Sequence, residues 1–374
     1  VQIARYFDAF VDHFGLRDAI TFRTEVTSVV PTVDGKWDVT TKSRDTDETT
    51  TRRYGAVIVA NGHHWNPRWP EPPFPGADTF TGVQTHAHYY KTFDDYVGQR
   101  VLVLGIGNSA CDIAVETSAV SERTFLAMRR GAHIIPKYLF GIPTDHLTTS
   151  PLTRLRLPWW LQRASMSTLL RIQRGKVTDY GLPEPDHKFL SAHPTVSDDL
   201  LLRLGHGDIT VKPNIDHIAG DTVHFIDGTA ERIDRIVYCT GYQITFPFLD
   251  EQVMAAPDNE ISLFHRVVDP KHAGLYFIGL VQPLGAIMPL AEAQSEWIAD
   301  LLDGTATLPS EREVHREIDD YHRAMHKRYV TSKRHTIQVD FLEHLRELKH
   351  ERDEGKRRGG QSRALADSTF SAVP

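Results

Sequence analysis

The stretch RVLVLGIGNSACDIAVE, residues 100–116, constrains the chain more than any other. Four consecutive apolar residues, 101–104, read as a short buried strand. They run directly into Gly105-x-Gly107-x-x-Ala110 and then into a helix-compatible segment. Strand, G-x-G-x-x-A and helix in that order predict a dinucleotide-binding turn. Gly105 permits the tight turn, Gly107 lets backbone approach a pyrophosphate, and Ala110 lets the helix pack closely on the strand. The helix then presents unpaired N–H groups and the positive end of its dipole to the phosphates. A glycine-rich turn with no ligand is the plain alternative.

The second strand of such a unit, RTFLA at 123–127, is followed by Arg129 and Arg130. An acid at this point would suit the ribose hydroxyls of NAD. Guanidinium groups suit a 2′-phosphate, so NADPH is expected over NADH, through either arginine.

With 374 residues the chain has room for two cores. A net charge of −7 argues against a general nucleic-acid binder. Two cysteines, Cys111 and Cys239, form no CxxC pair, so neither a disulfide framework nor dithiol chemistry is expected, and a reducing, cytoplasmic setting fits. Cys111 reads as a small residue packed on the sheet. No apolar run is long enough to span a bilayer and no secretory signal is evident. His63-His64 and the His86-x-His88 pair lack a third ligand at metal-site spacing, so no metal is expected.

The rest of the chain alternates between strand and helix signals. Residues 1–14 carry apolar side chains at helical spacing. Asp34-Gly35 and Asp227-Gly228 mark hairpins. YGAVIVANGHH and IDRIVYCTGYQ repeat one plan, a polar lead-in, an apolar strand and a small-residue–Gly break. They predict two crossings between nucleotide-binding units, at Asn61-Gly62 and at Thr240-Gly241. Pro289 suits the first turn of a helix, and Ser310 with Glu313 suits a capping box. LRLPWWLQRASMSTLLRIQRGK is basic, with Trp159 and Trp160 together. It reads as a packed surface helix, the alternatives being a membrane contact or a substrate entrance. Beyond residue 351 the charged, Gly- and Ser-rich text predicts a disordered tail.

Phe80, Gly82, His86 and Tyr90 form F-x-G-x-x-x-H-x-x-x-aromatic just before the Gly105 turn. This pattern resembles the identifying motif of the flavin-containing monooxygenases. Segments such as RRGAHIIPK, DRIVYCTGY and IGLVQPLGAIMPLAEAQSEW follow in that family's order. The resemblance implies an α/β fold of two nested Rossmann-like domains, with the NADPH domain inserted into a discontinuous FAD domain. Expected boundaries are 1–66 and 216–350 for FAD-domain parts, 67–215 for the NADPH domain and its linker, and 351–374 for the tail. The family's N-terminal strand–GxGxxG–helix for FAD does not occur in this sequence, so the FAD domain is expected to be incomplete.

The resemblance further implies that NADPH reduces FAD and that a flavin 4a-hydroperoxide passes one oxygen of O2 to a soft nitrogen or sulfur nucleophile. His86 would organise the linker between the cofactors, and no catalytic triad is implied. Gln282 and the helix starting near Leu290 would face the flavin, and Asn108 and Ser109 would contact the phosphate or ribose of NADPH from the turn. A small-molecule substrate, no nucleic acid, no transmembrane anchor and a homodimer are the expected associations. Baeyer–Villiger oxidation of ketones is the neighbouring alternative, although that related family usually has Trp followed by Pro or Asp where this chain has Tyr90-Lys91. An NADP(H)-binding protein without catalysis is the alternative of another class.

Overall fold

In the computed structural model, residues 2–144, 159–189, 191, 194–283, 285–328 and 336–370 are described; side-chain detail is further confined to residues outside 159–160, 162–163 and 362–370. Five parallel strands form the central sheet: β2 (Val83–His86), β3 (Arg100–Leu104), β4 (Arg123–Ala127), β5 (Ile209–Lys212) and β6 (Arg235–Tyr238), in the order β5-β4-β3-β6-β2. A further parallel pair joins β1 (Val57–Val59) to β7 (Leu275–Phe277).

Period-two alternation divides the central sheet between two cores. Val101, Val103, Leu126 and Val237 face helices α2 (Asn108–Ser118) and α4 (Leu200–His206), where Ala110, Cys111, Ile113, Ala114, Leu200 and Leu204 complete the packing. Leu102, Leu104, Phe125 and Ile236 face the three-stranded meander of residues 215–232, against Ile215, Ile218, Val223 and Phe225. Burying each of the Val, Leu, Ile and Phe side chains among these contributes roughly 1.5–3 kcal/mol. β6 thus belongs to the central sheet, and the meander packs against that sheet as a separate antiparallel layer.

Around the β1–β7 pair lie an antiparallel sheet, Thr24–Pro31, Trp37–Ser43 and Thr49–Tyr54, and the helices α5 (Met288–Leu302), α6 (Glu311–Arg328) and α7 (Phe341–Phe370). The Asp34-Gly35 turn closes the first hairpin, with Gly35 at φ 73°. Pro289 sits in the first turn of α5. Glu313 accepts from the Ser310 N–H at 3.1 Å, one half of the expected capping box, but the Ser310 hydroxyl turns to the same carboxylate at 2.7 Å.

Two outcomes depart from the sequence pattern. Helix α1 (Gln2–His13) forms with no buried residue, and Ile3, Tyr6, Phe7 and Phe10 on it are exposed. The expected disordered tail is instead a continuation of α7 as far as Phe370. Gly355 and Gly359, one turn apart, let the helix lie directly on residues 305–307. A Cβ on Gly359 would sit 2.6 Å from the Thr305 carbonyl oxygen, and one on Gly355 would sit 3.2 Å from the Ala306 Cβ. Arg352 pairs with Glu296 and Asp300 of α5, Lys356 with Asp300 at 3.1 Å, and Arg358 donates to the Thr307 carbonyl at 3.0 Å. The glycine and charge content that signals disorder in isolation here supplies close approach and pairing. Residues 371–374 lie outside the described residues.

Helix α3 spans Trp159–Arg174, and its Leu170 packs with Ile135, Leu139 and Phe189. The Trp159 and Trp160 side chains, and with them the alternatives of membrane contact or entrance lining, lie outside the described residues.

Candidate functional site: the junction at the carboxyl edge of the sheet

The strand order reverses at β3, with β4 on one side and β6 and β2 on the other. In open parallel sheets, ligands bind beyond the carboxyl ends of the strands at such a point. Register brings the ends level: Tyr238 lies opposite Leu104 on one side and opposite His86 on the other. Gly105, His86 and the Cys239-Thr240-Gly241 exit therefore emerge side by side.

At the β3 exit Gly105 adopts φ 134°, and a Cβ there would lie 2.7 Å from the Cys239 carbonyl oxygen. Only glycine fits both constraints. Gly107 is the N-cap of α2 and contributes no side-chain cap, so the amino end of the helix stays open. Ala110 is fully buried against the sheet, while Ser109 is exposed at the first turn. Asn108 is committed to protein: its Oδ1 accepts from the Val196 N–H at 2.8 Å, and Thr195 donates to the Ile106 carbonyl at 2.8 Å. The Thr195-Val196 segment that braces the turn gave no local signal in the sequence. Arg129 and Arg130 are exposed just beyond β4, Arg130 lying 3.5 Å from Asp186.

The four residues of the linker pattern have separate structural tasks. Gly82 lies against the Asp234 carbonyl and the Phe80 ring, at 2.3 and 2.6 Å from where a Cβ would be. Phe80 packs on the core beneath the meander. His86 ends β2 and is fully buried. Its Nδ1 accepts from the His88 N–H at 3.1 Å. The ring proton of the neutral imidazole is therefore on Nε2. Burial pushes the His86 pKa down, the Gly241 backbone partly offsets this, and His88 adds to it. The Gly241 backbone is close, yet no hydrogen bond of acceptable geometry forms at Nε2 among the described residues. Tyr90 donates to Glu116 Oε2 of α2 at 2.7 Å, fastening the linker to the nucleotide helix. Burial, then Glu116, raises the Tyr90 pKa.

Aromatic rings fill the space between the two strand exits. Trp69 lies 5.7 Å from His86 and 5.5 Å from Tyr238; Tyr242 lies 5.4 Å from His86 and 5.1 Å from His64. The Tyr238 hydroxyl donates to Gln84 at 2.6 Å, and burial raises its pKa to about 12. His63 is held down at about pKa 4, first by burial and then by His64. His63 Nε2 and Trp65 Nε1 are buried without hydrogen-bond partners among the described residues, as is His86 Nε2. The exits themselves are latched together. Thr240 donates to the Arg68 carbonyl, the Arg68 N–H donates to the Gly241 carbonyl at 3.0 Å, and Asn61 reaches the Thr245 carbonyl at 3.5 Å. Gly62 and Gly241 take φ 70° and 86°. Gln282 donates its backbone N–H to the Ile337 carbonyl at 2.7 Å and pairs in register with Gln338, and the amino end of α5 has no side-chain cap. Sequence analysis missed Trp65, Trp69, Tyr238 and Tyr242, which no local pattern distinguishes from core aromatics. It did find His63-His64, but only as a metal pair. Among the described residues no group of three or more His, Cys, Asp or Glu could hold a metal ion, and no helix is long and apolar enough to cross a membrane.

These observations test which cofactors the residues fit. The Gly105 cradle, the uncapped α2 terminus and the exposed Arg129-Arg130 pair fit an NADP pyrophosphate and 2′-phosphate. The unpartnered N–H donors of Trp65 and His86, with the unpartnered Nε2 of His63 beside them, fit a planar polar heterocycle. The sequence holds a single G-x-G-x-x-A turn, so contacts to a second pyrophosphate do not come from another such turn in these residues.

The fold and junction define an α/β protein of the Rossmann-type dinucleotide-binding class. Solved structures share the fold. S-allyl-L-cysteine S-oxygenase from Allium sativum is similar at a TM-score of 0.66 and 22% identity, over 99% of this chain and 72% of that one. Cyclohexanone monooxygenase from Rhodococcus sp. Phi1, bound to NADP+, is similar at 0.68 and 17%, over 94% and 82%. The family model "FMO-like: Flavin-binding monooxygenase-like" matches residues 1–354. The chain belongs to that family. It is 38% identical to flavin-containing monooxygenase 5 of Oryctolagus cuniculus over 362 residues, and 34% identical to N-oxide-forming dimethylaniline monooxygenase 2 of Rattus norvegicus over 362 residues. It spans 66% of the length of these curated relatives.

Proposed function

We propose that this chain forms the NADPH-binding unit and part of the flavin-binding unit of a monooxygenase that transfers one oxygen atom of O2 to a soft nitrogen or sulfur centre. The observation that carries the proposal is the level meeting of the Gly105 turn, His86 and the Thr240-Gly241 exit at one sheet edge. The named activities of the curated relatives at 34–38% identity support it.

Bound FAD and NADPH would supply the redox and oxygen-activating chemistry. The chain's own residues hold, orient and exclude water. Gly105, Gly107 and Ser109 with the α2 terminus would seat the pyrophosphate of NADPH, and Arg129 or Arg130 its 2′-phosphate. Tyr90 ties the linker to α2 through Glu116, so a nucleotide on that helix is fixed relative to His86. Neutral His86 keeps its proton on Nε2 and offers it as a hydrogen-bond donor at the junction, a positioning task and not proton transfer. Asn61, Gly62, Thr240 and Gly241 would line the crossings. Gln282 and the open amino end of α5 would lie on the flavin side, where a helix terminus favours negative charge. The buried ring of Tyr238, with Trp69 and Tyr242 packed around His86, would limit water at the junction.

The test is product analysis with the full chain, added FAD and NADPH, offering a thioether, a tertiary amine and a ketone. Sulfoxide or N-oxide formation with NADPH-dependent O2 uptake is expected. Ester or lactone alone would move the assignment to ketone oxidation, and NADP+ binding without O2 uptake would leave only a nucleotide-binding protein.

A further inference from the structure

A cavity of about 550 Å³ opens between α6, α7, the 264–266 turn and the Gln338–Val339 strand. None of its lining residues belongs to the nucleotide turn, the linker pattern or the strand exits. Its volume is within the range of small-molecule sites.

The wall is unbalanced in charge: seven carboxylates, from α6, α7 and Asp340, face three guanidiniums. The basic groups are largely engaged. Arg266, 4% exposed, donates to Glu317 at 2.7 Å and lies 4.0 Å over the Tyr321 ring. Arg358 pairs with Glu351. Glu343 on the first turn of α7 is exposed and has no side-chain partner among the described residues.

His344 is the second, independent pointer to a ligand. It is 2% exposed and lines the cavity, with its Nδ1 at 3.2 Å from Glu347 Oε2. An ionised carboxylate can only accept, so Nδ1 carries the proton and Nε2 keeps a lone pair. That lone pair is buried without a partner among the described residues. A buried unmet acceptor is costly, and a ligand N–H would meet it. The Arg266 guanidinium in the wall and the absence of a three-ligand cluster among the described residues disfavour a bare metal ion.

We propose that this cavity is a second binding site, for an organic cation with N–H donors of the di- or polyamine class, held by Glu343 and its neighbouring carboxylates and by His344 Nε2. Phe264 and His265 in the turn at its floor contact Trp297 of α5, at 5.8 Å each. An occupant would therefore brace the α5–α7 packing.

Isothermal titration of the full chain with spermidine, at low salt and without flavin or NADPH, tests this independently of the proposed activity. A single saturable site is expected. Glu343→Gln, an exposed position safe for folding, should weaken it about tenfold, which is about 1.4 kcal/mol. His344→Asn should abolish it, and tetramethylammonium, a cation without N–H donors, should not bind. Weak binding at many equivalent sites, indifference to Glu343→Gln, equal binding of tetramethylammonium, or displacement of spermidine by equimolar Mg2+ would each overturn the proposal.

Discussion

Replacing Gly82 by alanine distinguishes two physical meanings of the linker pattern. The glycine could act as a hinge, in which case alanine stiffens the unfolded chain and raises stability by about 0.4–1 kcal/mol. The geometry requires the opposite sign. A Cβ on Gly82 would meet the Asp234 carbonyl oxygen at 2.3 Å and the Phe80 ring at 2.6 Å. That oxygen cannot simply retreat, because it accepts from the Val83 N–H at 3.0 Å, while the Asp234 N–H is held by the Arg100 carbonyl at 2.9 Å. Overpacking costs roughly 1–3 kcal/mol, and weakening one ladder bond adds about 1 kcal/mol. The expected loss is about 2–4 kcal/mol, or roughly 4–16 °C in the melting of the nucleotide unit. Thermal unfolding followed by tryptophan fluorescence measures it. Phe80→Leu in the same background should recover only part of the loss, since the backbone contact remains. A melting point raised by Gly82→Ala, or fully restored by the second change, would refute the packing argument.

Two further outcomes follow from the same structure. Replacing Arg129 and Arg130 together by alanine should weaken NADP+ roughly 10–100-fold, about 1.4–2.8 kcal/mol, and leave NAD+ unchanged; calorimetric titration with both nucleotides checks this, and an equal loss for both would remove the 2′-phosphate assignment. Burial, then Arg266, holds His265 down at about pKa 3. The unfolded chain then binds a proton that the folded one refuses, so stability should fall as pH drops below about 6.5 and go on falling towards pH 3. The contribution between pH 7 and 5 is about 2 kcal/mol. Urea midpoints across that range should show it, and His265→Asn should flatten the slope.

Much of the candidate site's local geometry was legible because its constraints are local. Gly105, Gly107 and Ala110 lie within one strand–helix connection; Gly105 is demanded by its conformation and by the Cys239 carbonyl, and Ala110 by its burial against the sheet. Arg129 and Arg130 follow a strand end that periodicity identifies. The linker pattern was legible as spacing, but its physical content was not. That Gly82 yields to a carbonyl 152 positions later, and that Tyr90 holds Glu116, are facts of packing.

What the sequence alone determined is therefore the nucleotide turn, the hairpins, the helix signals and the family-like order of segments. Backbone conformation and short-range periodicity act within a few residues and leave their mark on composition and spacing. Only the tertiary structure decided which strands are neighbours. It placed β6 between β3 and β2 in the central sheet, set His63, His86, Trp69 and Tyr242 around one junction, and turned a tail expected to be disordered into a helix. Gly355 and Gly359 read as breakers until residues 305–307 lie against them. Close approach depends on the partner surface, and that surface exists only once distant segments have met.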